Sequence, residues 1–217
     1  MKPKLTLMAL KIEAVTFATL ESNHLEPALF GVTDGKAIGT YFEHKFREHL
    51  RARFEFQDGS SARGIDFPEL DVDMKVTSVK QPQSSCPYQS ARQKIFGLGY
   101  SVLVFVYEKT DDPISSTGHL DIQHVIFVDK ERTADFQTTT GILKILDNEG
   151  NKDDLLAFMQ ERMLPVDEIE AGNMADEMLL TPPEVGYLTI SNALQWRLQY
   201  RRVIDQAGAV PGVIRLK

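Results

Sequence analysis

Two carboxylates and a lysine lie close together in the first half of the sequence. Asp73 and Lys75 form an Asp-x-Lys tripeptide, and Asp66 lies seven positions before Asp73. If residues 72–79 form a strand, alternate side chains point to opposite faces, so Asp73 and Lys75 share one face. A carboxylate and an ammonium held side by side can bind a divalent cation and polarise an attacking water. Hydrolysis of a phosphodiester requires this chemistry.

The same stretch resembles a known nuclease superfamily. Residues 63–78 read Arg-Gly-Ile-Asp-Phe-Pro-Glu-Leu-Asp-Val-Asp-Met-Lys-Val-Thr-Ser, which is similar to the PD-(D/E)xK nucleases. Residues 76–100 are similar to a type II restriction endonuclease, and the whole resemblance covers residues 36–109. It implies a restriction-endonuclease-like α/β fold, double-stranded DNA as the substrate and products with 5′-phosphate ends. It also implies a homodimer, because a two-fold enzyme can cut both strands of a palindrome.

The resemblance assigns roles to four side chains. It implies that Asp66 and Asp73 bind Mg²⁺ and that Lys75 orients the nucleophilic water. Glu43 occupies the place from which a glutamate of the first core helix often joins the metal ligands. Sequence-specific hydrolysis of DNA is therefore the expected function. Two other functions remain open at this point: a repair or recombination nuclease of the same superfamily that reads DNA structure, and a DNA-binding protein of this fold without turnover.

The position of the proline departs from the family pattern. The proline usually comes directly before the first acid, whereas Pro68 follows Asp66 by two positions. Glu69 and Asp71 therefore remain alternatives for the first metal ligand. Asp71 has the same strand parity as Asp73, but Asp66 is better placed on an opposing strand, so Asp66 is the preferred ligand.

Composition excludes several classes of protein. The chain has 217 residues, of which 42% are hydrophobic and 25% charged, as in an ordinary globular protein. No apolar run approaches the roughly 20 residues that a membrane helix needs, so we expect no contact with a membrane. The single cysteine, Cys86, cannot form an internal disulfide and is expected to be an inert thiol. This composition fits the reducing cytoplasm.

Charge is distributed unevenly along the chain. The net charge of −7 argues against a passive nucleic-acid coat, which needs clustered Lys and Arg. Residues 75–109 and residues 187–217 each contain five Lys and Arg against one acid, while residues 110–186 contain five against 17. The two basic segments are candidates for lining a DNA cleft, although a run of charge is also typical of a solvated face.

Candidate DNA contacts follow the catalytic tripeptide. Gln81 and Gln83 can donate to and accept from an adenine edge, and Ser84 and Ser85 can bind phosphate. An ordinary polar loop would have the same composition. Four basic residues on predicted helices are candidate phosphate contacts: Arg92, Lys94, Arg197 and Arg201.

The predicted elements place these residues on an α/β scaffold. Apolar residues recur at three- and four-residue spacing over 36–53, which predicts the helix that carries Glu43. Residues 53–56, 100–107 and 124–128 are predicted strands, residues 58–61 a turn, and residues 62–73 part of a hairpin bent at Pro68. Further helices are predicted at 87–98, 130–147, 153–163, 165–178 and 192–204. We therefore predict a mixed central sheet flanked by helices: a nuclease core (1–129) continuous with a C-terminal helical subdomain (130–217) for DNA contact or dimerisation.

Overall fold

A computed structural model describes residues 2–59, 64–85, 90–191 and 197–217. The helices are α1 (Leu7–Glu21), α2 (Gly35–Arg51), α3 (Arg92–Phe96), α4 (Phe136–Asp147), α5 (Lys152–Glu161), α6 (Glu168–Leu180) and α7 (Arg201–Gln206). The strands are β1 (Leu25–Glu26), β2 (Val72–Ser78), β3 (Gln83–Ser85), β4 (Ser101–Asp112), β5 (Thr117–Val128), β6 (Thr189–Ile190), β7 (Arg197–Gln199) and β8 (Val213–Arg215). Cys86, Trp196 and the predicted helix start at Pro87 lie outside the described residues.

The central sheet is mixed, as the sequence predicted. Its strand order is β1-β5-β4-β2, and β8 also pairs with β5. Strands β4 and β5 are antiparallel, whereas β2 runs parallel to β4. A second, smaller sheet has the order β3-β7-β6. The predicted α/β fold with a mixed central sheet flanked by helices is confirmed.

Apolar side chains cover both faces of β4. Leu103 and Phe105 pack into one core with α1 and α2, while Val102 and Val104 pack into a second core on the opposite face. Burial on both faces explains why this strand is a nearly continuous apolar run in the sequence. A third apolar cluster lies among α4, α5 and α6.

Helix α2 forms where its sequence pattern predicts. The Asp34 side chain caps it by accepting the N–H groups of Lys36 and Ala37 at 3.1 and 3.2 Å, which satisfies donors that have no partner within the helix. Its buried face consists of residues spaced about one turn apart: Ile38, Phe42, Phe46 and Leu50. This buried stripe fixes the rotation of α2, and therefore the direction of Glu43.

Two local predictions were wrong. Residues 53–56 are not a strand, since only Glu55 forms a single bridge, to Lys4. The predicted hairpin is reduced to one bridge between Phe67 and Val72, because residues 68–70 form a 3-10 turn and Asp71 takes a left-handed conformation with φ of 50°. The turn brings the segment before it back against β2.

The predicted final helix, residues 192–204, was wrong at residues 197–199. Residues 192–196 lie outside the described part of the chain, residues 197–199 form β7, and α7 begins only at Arg201. Pairing of β7 with both β3 and β6 overrides the helical spacing of the apolar residues. Strand β8 joins the central sheet, and the division of the chain at residue 129 stays a prediction. No described helix has the length and apolar character required to cross a bilayer.

Candidate active site

Strand β2 presents Asp73 and Lys75 on one face. Met74, between them, is buried in the first core, so alternation directs its two neighbours to the other side. The Asp73 Oδ2 and Lys75 Nζ atoms form an ion pair of 2.7 Å, with side chains 2% and 19% exposed. A carboxylate and an ammonium are thus held together in a mostly dehydrated position.

Asp66 is fixed beside this pair from two directions. Its Oδ2 accepts the Met74 backbone N–H at 2.8 Å, and its Oδ1 accepts a hydrogen bond from Arg47 Nη2. The 3-10 turn at 68–70 makes the first contact geometrically possible, because it returns the chain toward β2. The segment that carries Asp66 therefore lies along the catalytic strand without forming a regular hairpin arm.

The carboxyl group of Asp73 is electrostatically strained. Its pKa is raised to about 7: burial is the largest cause, Lys75 opposes the rise, and the neighbouring Asp66 adds to it. Removing a carboxylate from water disfavours its charged form, and a like charge in contact does the same. A divalent cation bound between Asp66 and Asp73 would relieve both effects.

Glu43 on α2 belongs to the same cluster. Burial is the largest cause of its raised pKa, and the charge of Asp66 adds to the effect while Lys75 and Arg47 oppose it. The structure thus brings together the four side chains that the sequence singled out as catalytic. They come from three separate segments: α2, the turn before β2, and β2 itself.

The two alternative first ligands make contacts elsewhere. Asp71 is exposed, and its backbone carbonyl accepts the Ser101 N–H at 2.8 Å. Glu69 accepts the Gln57 backbone N–H at 3.3 Å. The charges that act on Asp73 come from Asp66 and Lys75, so the geometry favours Asp66.

The donor set suits a hard cation such as Mg²⁺, which prefers carboxylate oxygens. Asp73 Oδ2 is buried, and its contact with Lys75 lacks the angles of a hydrogen bond, so this oxygen has no hydrogen-bond partner in the described part of the chain. Within the described residues, no three Asp, Glu, His or Cys side chains are arranged as a complete metal-binding group. Asp66 and Asp73 are the two side chains whose chemistry and contact fit the ion, and Glu43 is a further acid on which the charge of Asp66 acts.

Arg47 is a member of the cluster that the sequence reasoning missed. It lies four positions after Glu43 on α2, and its guanidinium contacts Asp66. Its Nε atom is buried and has no hydrogen-bond partner within the described residues. Residues four positions apart lie on the same helix face, so the spacing from Glu43 was a usable signal.

A cleft of about 600 Å³ opens next to this cluster. Its lining includes the catalytic candidates Glu43 and Lys75, together with residues from the start of α2. Five of the predicted DNA contacts also line it: Gln81, Gln83, Ser84, Ser85 and Arg197. A second cavity, of about 690 Å³, lies at α5 and α6 and is lined mainly by apolar side chains, with Asp167 and Glu168 but no lysine among its described lining residues.

Thr77 ties the wall of this cleft to the catalytic strand. The Gln83 N–H donates to Thr77 Oγ1 at 2.9 Å, and the hydroxyl in turn lies within 3.1 Å of the Gln83 carbonyl. At the other side of β3, the hydroxyl groups of Ser84 and Tyr200 are 2.6 Å apart. These bonds hold the small sheet at a fixed place relative to β2.

Three of the predicted DNA contacts lie outside the cleft lining. Arg92 makes two hydrogen bonds of 2.8 Å to Glu177. Lys94 is only 5% exposed, and burial lowers its pKa, which does not suit a surface phosphate contact. Arg201 starts α7, whereas Arg197 lies on β7, so the prediction that Arg197 lies on a helix was wrong.

Comparison with known proteins decides the family. The family model described as Type II restriction enzyme NspV matches residues 4–215. The Type II restriction enzyme NspV of Nostoc sp. (strain ATCC 29411 / PCC 7524) is 65% identical over 210 residues, which are 97% of this chain and 96% of the relative. The chain belongs to the NspV family of type II restriction enzymes. The predicted class, a type II restriction endonuclease, is confirmed, and no solved structure matches the chain.

Proposed function

We propose that the cleft binds double-stranded DNA and that the cluster beside it hydrolyses a phosphodiester at a specific sequence, with Mg²⁺ as the cofactor. The observation that carries the proposal is the buried pair of Asp73 and Lys75 in contact with Asp66, at the edge of a cleft lined by glutamine, serine and arginine. Membership of the NspV family supports this function over a repair nuclease or a binding protein without turnover.

Each side chain of the cluster has a separate task. Asp66 and Asp73 hold the cation, and Glu43 adds negative charge to the same site. Lys75 donates hydrogen bonds from its ammonium to the attacking water, which it orients for attack on phosphorus. Bound Mg²⁺ supplies charge stabilisation at the phosphoryl oxygens and lowers the pKa of water. The proposed products carry 5′-phosphate ends.

The walls of the cleft are suited to a polyanion. Gln81, Gln83, Ser84 and Ser85 offer amide and hydroxyl donors, and Arg197 offers a guanidinium. The start of α2 also lines the cleft, and the N-terminus of a helix favours negative charge. Together these groups can contact the phosphates and the base edges of DNA near the scissile bond.

We propose a homodimer that acts in the cytoplasm. The proposed active site is a single acid and lysine cluster, whereas a double-strand break needs two hydrolytic events. A two-fold pair of chains supplies one cluster to each strand of a palindromic site. The single cysteine fits a reducing compartment.

Digestion of plasmid DNA tests the proposal. With Mg²⁺ present we expect a few discrete fragments whose sequenced ends share one short site, and no cutting with a chelator present. A smear, or cutting only at DNA junctions, would instead indicate a structure-specific nuclease. Intact plasmid under all metal conditions would indicate a binding protein.

A further inference from the structure

The small sheet has one row of residues that faces outward. Gln199 lies directly opposite Gln83 on β3 and opposite Thr189 on β6. Arg197 lies directly opposite Ser85. Directly opposed residues of an antiparallel pair share a face, so glutamine, arginine, serine and threonine side chains form one polar surface.

The opposite face of the same sheet is apolar and packed. Leu198 and Ile190 are 0% and 2% exposed and belong to the second core. The Ser84 hydroxyl is bonded to Tyr200 on that side. Because this face is buried, a shift of register by one residue would expose the core. The polar row is therefore fixed toward the outside: Gln199 and Ser85 are exposed, and Gln83 and Arg197 are half-buried.

The polar row begins at the catalytic cleft. The cleft is lined by three residues of this row, Gln83, Ser85 and Arg197, together with Glu43 and Lys75. Gln199 is the next residue of β7 on the same face as Arg197. DNA whose backbone lies at the catalytic cluster thus has its groove beside β3 and β7. The major groove is about 12 Å wide and admits a two-stranded β-ribbon.

The spacing along β7 matches the spacing of bases. Residues i and i+2 of a β-strand, which share a face, are roughly 6.6–6.8 Å apart. Two base steps along one strand of DNA span about 6.8 Å. An arginine fork fits guanine O6 and N7, and a glutamine amide fits adenine N6 and N7. The spacing between Arg197 and Gln199 therefore matches the spacing between two bases that are two steps apart, and their side chains can bond to guanine and adenine.

We propose that the outward face of β3 and β7 reads the DNA sequence in the major groove. Arg197 contacts a guanine, and Gln199, supported by Gln83, contacts an adenine two base pairs away. This inference rests on the proposed function of the cleft. It assigns Arg197 to a base edge, whereas the sequence suggested a phosphate contact, and it adds Gln199, which sequence reasoning did not identify.

The experiment first defines the cleaved site and then measures discrimination without cleavage. A duplex library with a randomised segment is digested by the wild-type enzyme in Mg²⁺, and the ends are sequenced. Binding to that site, and to every single-base-pair variant of it, is then measured with Lys75→Ala protein at two salt concentrations. The added changes are Arg197→Lys, Gln199→Ala and, as a control on an exposed strand position elsewhere, Gln123→Ala.

The expected result is a local loss of discrimination. Arg197→Lys keeps the charge but loses the fork, so preference for guanine at one position of each half-site falls roughly 5- to 150-fold. Gln199→Ala causes a similar loss for adenine two positions away, and Gln123→Ala causes none. Since Gln199 is exposed, its truncation leaves the fold intact, which thermal melting checks.

Two results would overturn the inference. If Arg197→Lys binds every site as its parent does, while Arg197→Ala weakens binding to all sites alike and lowers the salt slope by about 1, the arginine contacts phosphate. If Gln199→Ala keeps full discrimination at every position, β7 does not read adenine. Neither result touches the cleavage activity, which fails as a proposal only if the wild-type enzyme cuts no DNA.

Discussion

The two walls of the cleft differ in how their polar side chains are satisfied. The catalytic wall is built from β2, which pairs with β4 in the central sheet. Its charged groups are paired within the protein: Asp73 with Lys75, and Asp66 with Arg47. The opposite wall is built from the two- and three-residue strands of the small sheet, and it presents Gln199 and Ser85 to solvent.

Burial explains the difference. A buried polar group costs free energy unless it is paired, so the catalytic acids can be dehydrated only because lysine, arginine and a backbone N–H contact them. The same burial raises the pKa values of Asp73 and Glu43. Groups that must bond to DNA bases need unsatisfied donors and acceptors in the free protein, and only exposure to water makes this inexpensive. The proposed reactive groups therefore lie inside the protein and the proposed recognition groups lie at its surface.

The largest expected effect distinguishes cleavage, which depends on the catalytic wall, from DNA binding. Lys75→Ala removes the ammonium that orients water, and we expect cleavage to fall by about 10²–10⁴-fold while specific binding stays within about twofold. Single-turnover cleavage and gel-shift titration measure the two properties. Lys130→Ala, at an exposed lysine, serves as the control. Equal loss of binding and cleavage would mean that the lysine belongs to recognition.

A second comparison tests which acid is the first metal ligand. Asp66→Asn should reduce cleavage by a factor comparable to that of Lys75→Ala, because a carboxylate on the cation is lost. Asp71→Asn should retain nearly full activity, since Asp71 is exposed and asparagine tolerates its left-handed backbone. Cleavage rates of the two variants at saturating Mg²⁺ decide the question. The reverse outcome would identify Asp71, and not Asp66, as the first metal ligand.

The strain on Asp73 should be visible in stability. Its folded pKa is about 7 against an ordinary value of 3.8, so between these values the folded state binds more protons than the unfolded state. The free energy of unfolding therefore falls as pH rises through that window, by up to about 3 kcal/mol between pH 5 and pH 8. Asp73→Asn lacks this loss. Both proteins are denatured in chelator at pH 5 and at pH 8. The free energy of unfolding of the variant, relative to that of wild type, should be higher at pH 8 than at pH 5. A constant difference would mean that Asp73 ionises normally.

The smallest effect concerns Arg47, whose guanidinium contacts the proposed metal ligand Asp66. Arg47→Met keeps the length of the side chain but removes a positive charge that repels the cation, so we expect Mg²⁺ to bind several-fold more tightly. Calorimetric titration without DNA measures this affinity. Arg51→Met, one turn later and paired with Asp58 at 2.5 Å, is the matched control. Weaker binding in Arg47→Met alone would mean that the arginine only orients Asp66.

Local sequence patterns were sufficient for α2 and β2, the two elements that carry the catalytic wall, but not for Arg47 or the turn before β2. The apolar stripe of α2 and the alternation of β2 were both read from neighbouring residues, and the resemblance to nucleases added the roles of Asp66 and Glu43. The small sheet could not be read in this way. Leu198 is buried by pairing with strands that are distant in sequence, and the apolar spacing around it is equally typical of a helix. Arg197 was consequently selected for its charge but placed on the wrong element.

The bond between Ser84 and Tyr200 joins residues 116 positions apart. Bringing such distant segments together costs loop-closure entropy, and contacts of long sequence separation form slowly. The catalytic strand needs a much shorter closure, since Asp73 pairs with Val102. The small sheet is thus expected to assemble after the central sheet and to open before it. A molecule with β3 and β7 parted would keep its hydrolytic groups and lose its sequence selectivity, so the fidelity of this enzyme should be more sensitive to heat than its activity.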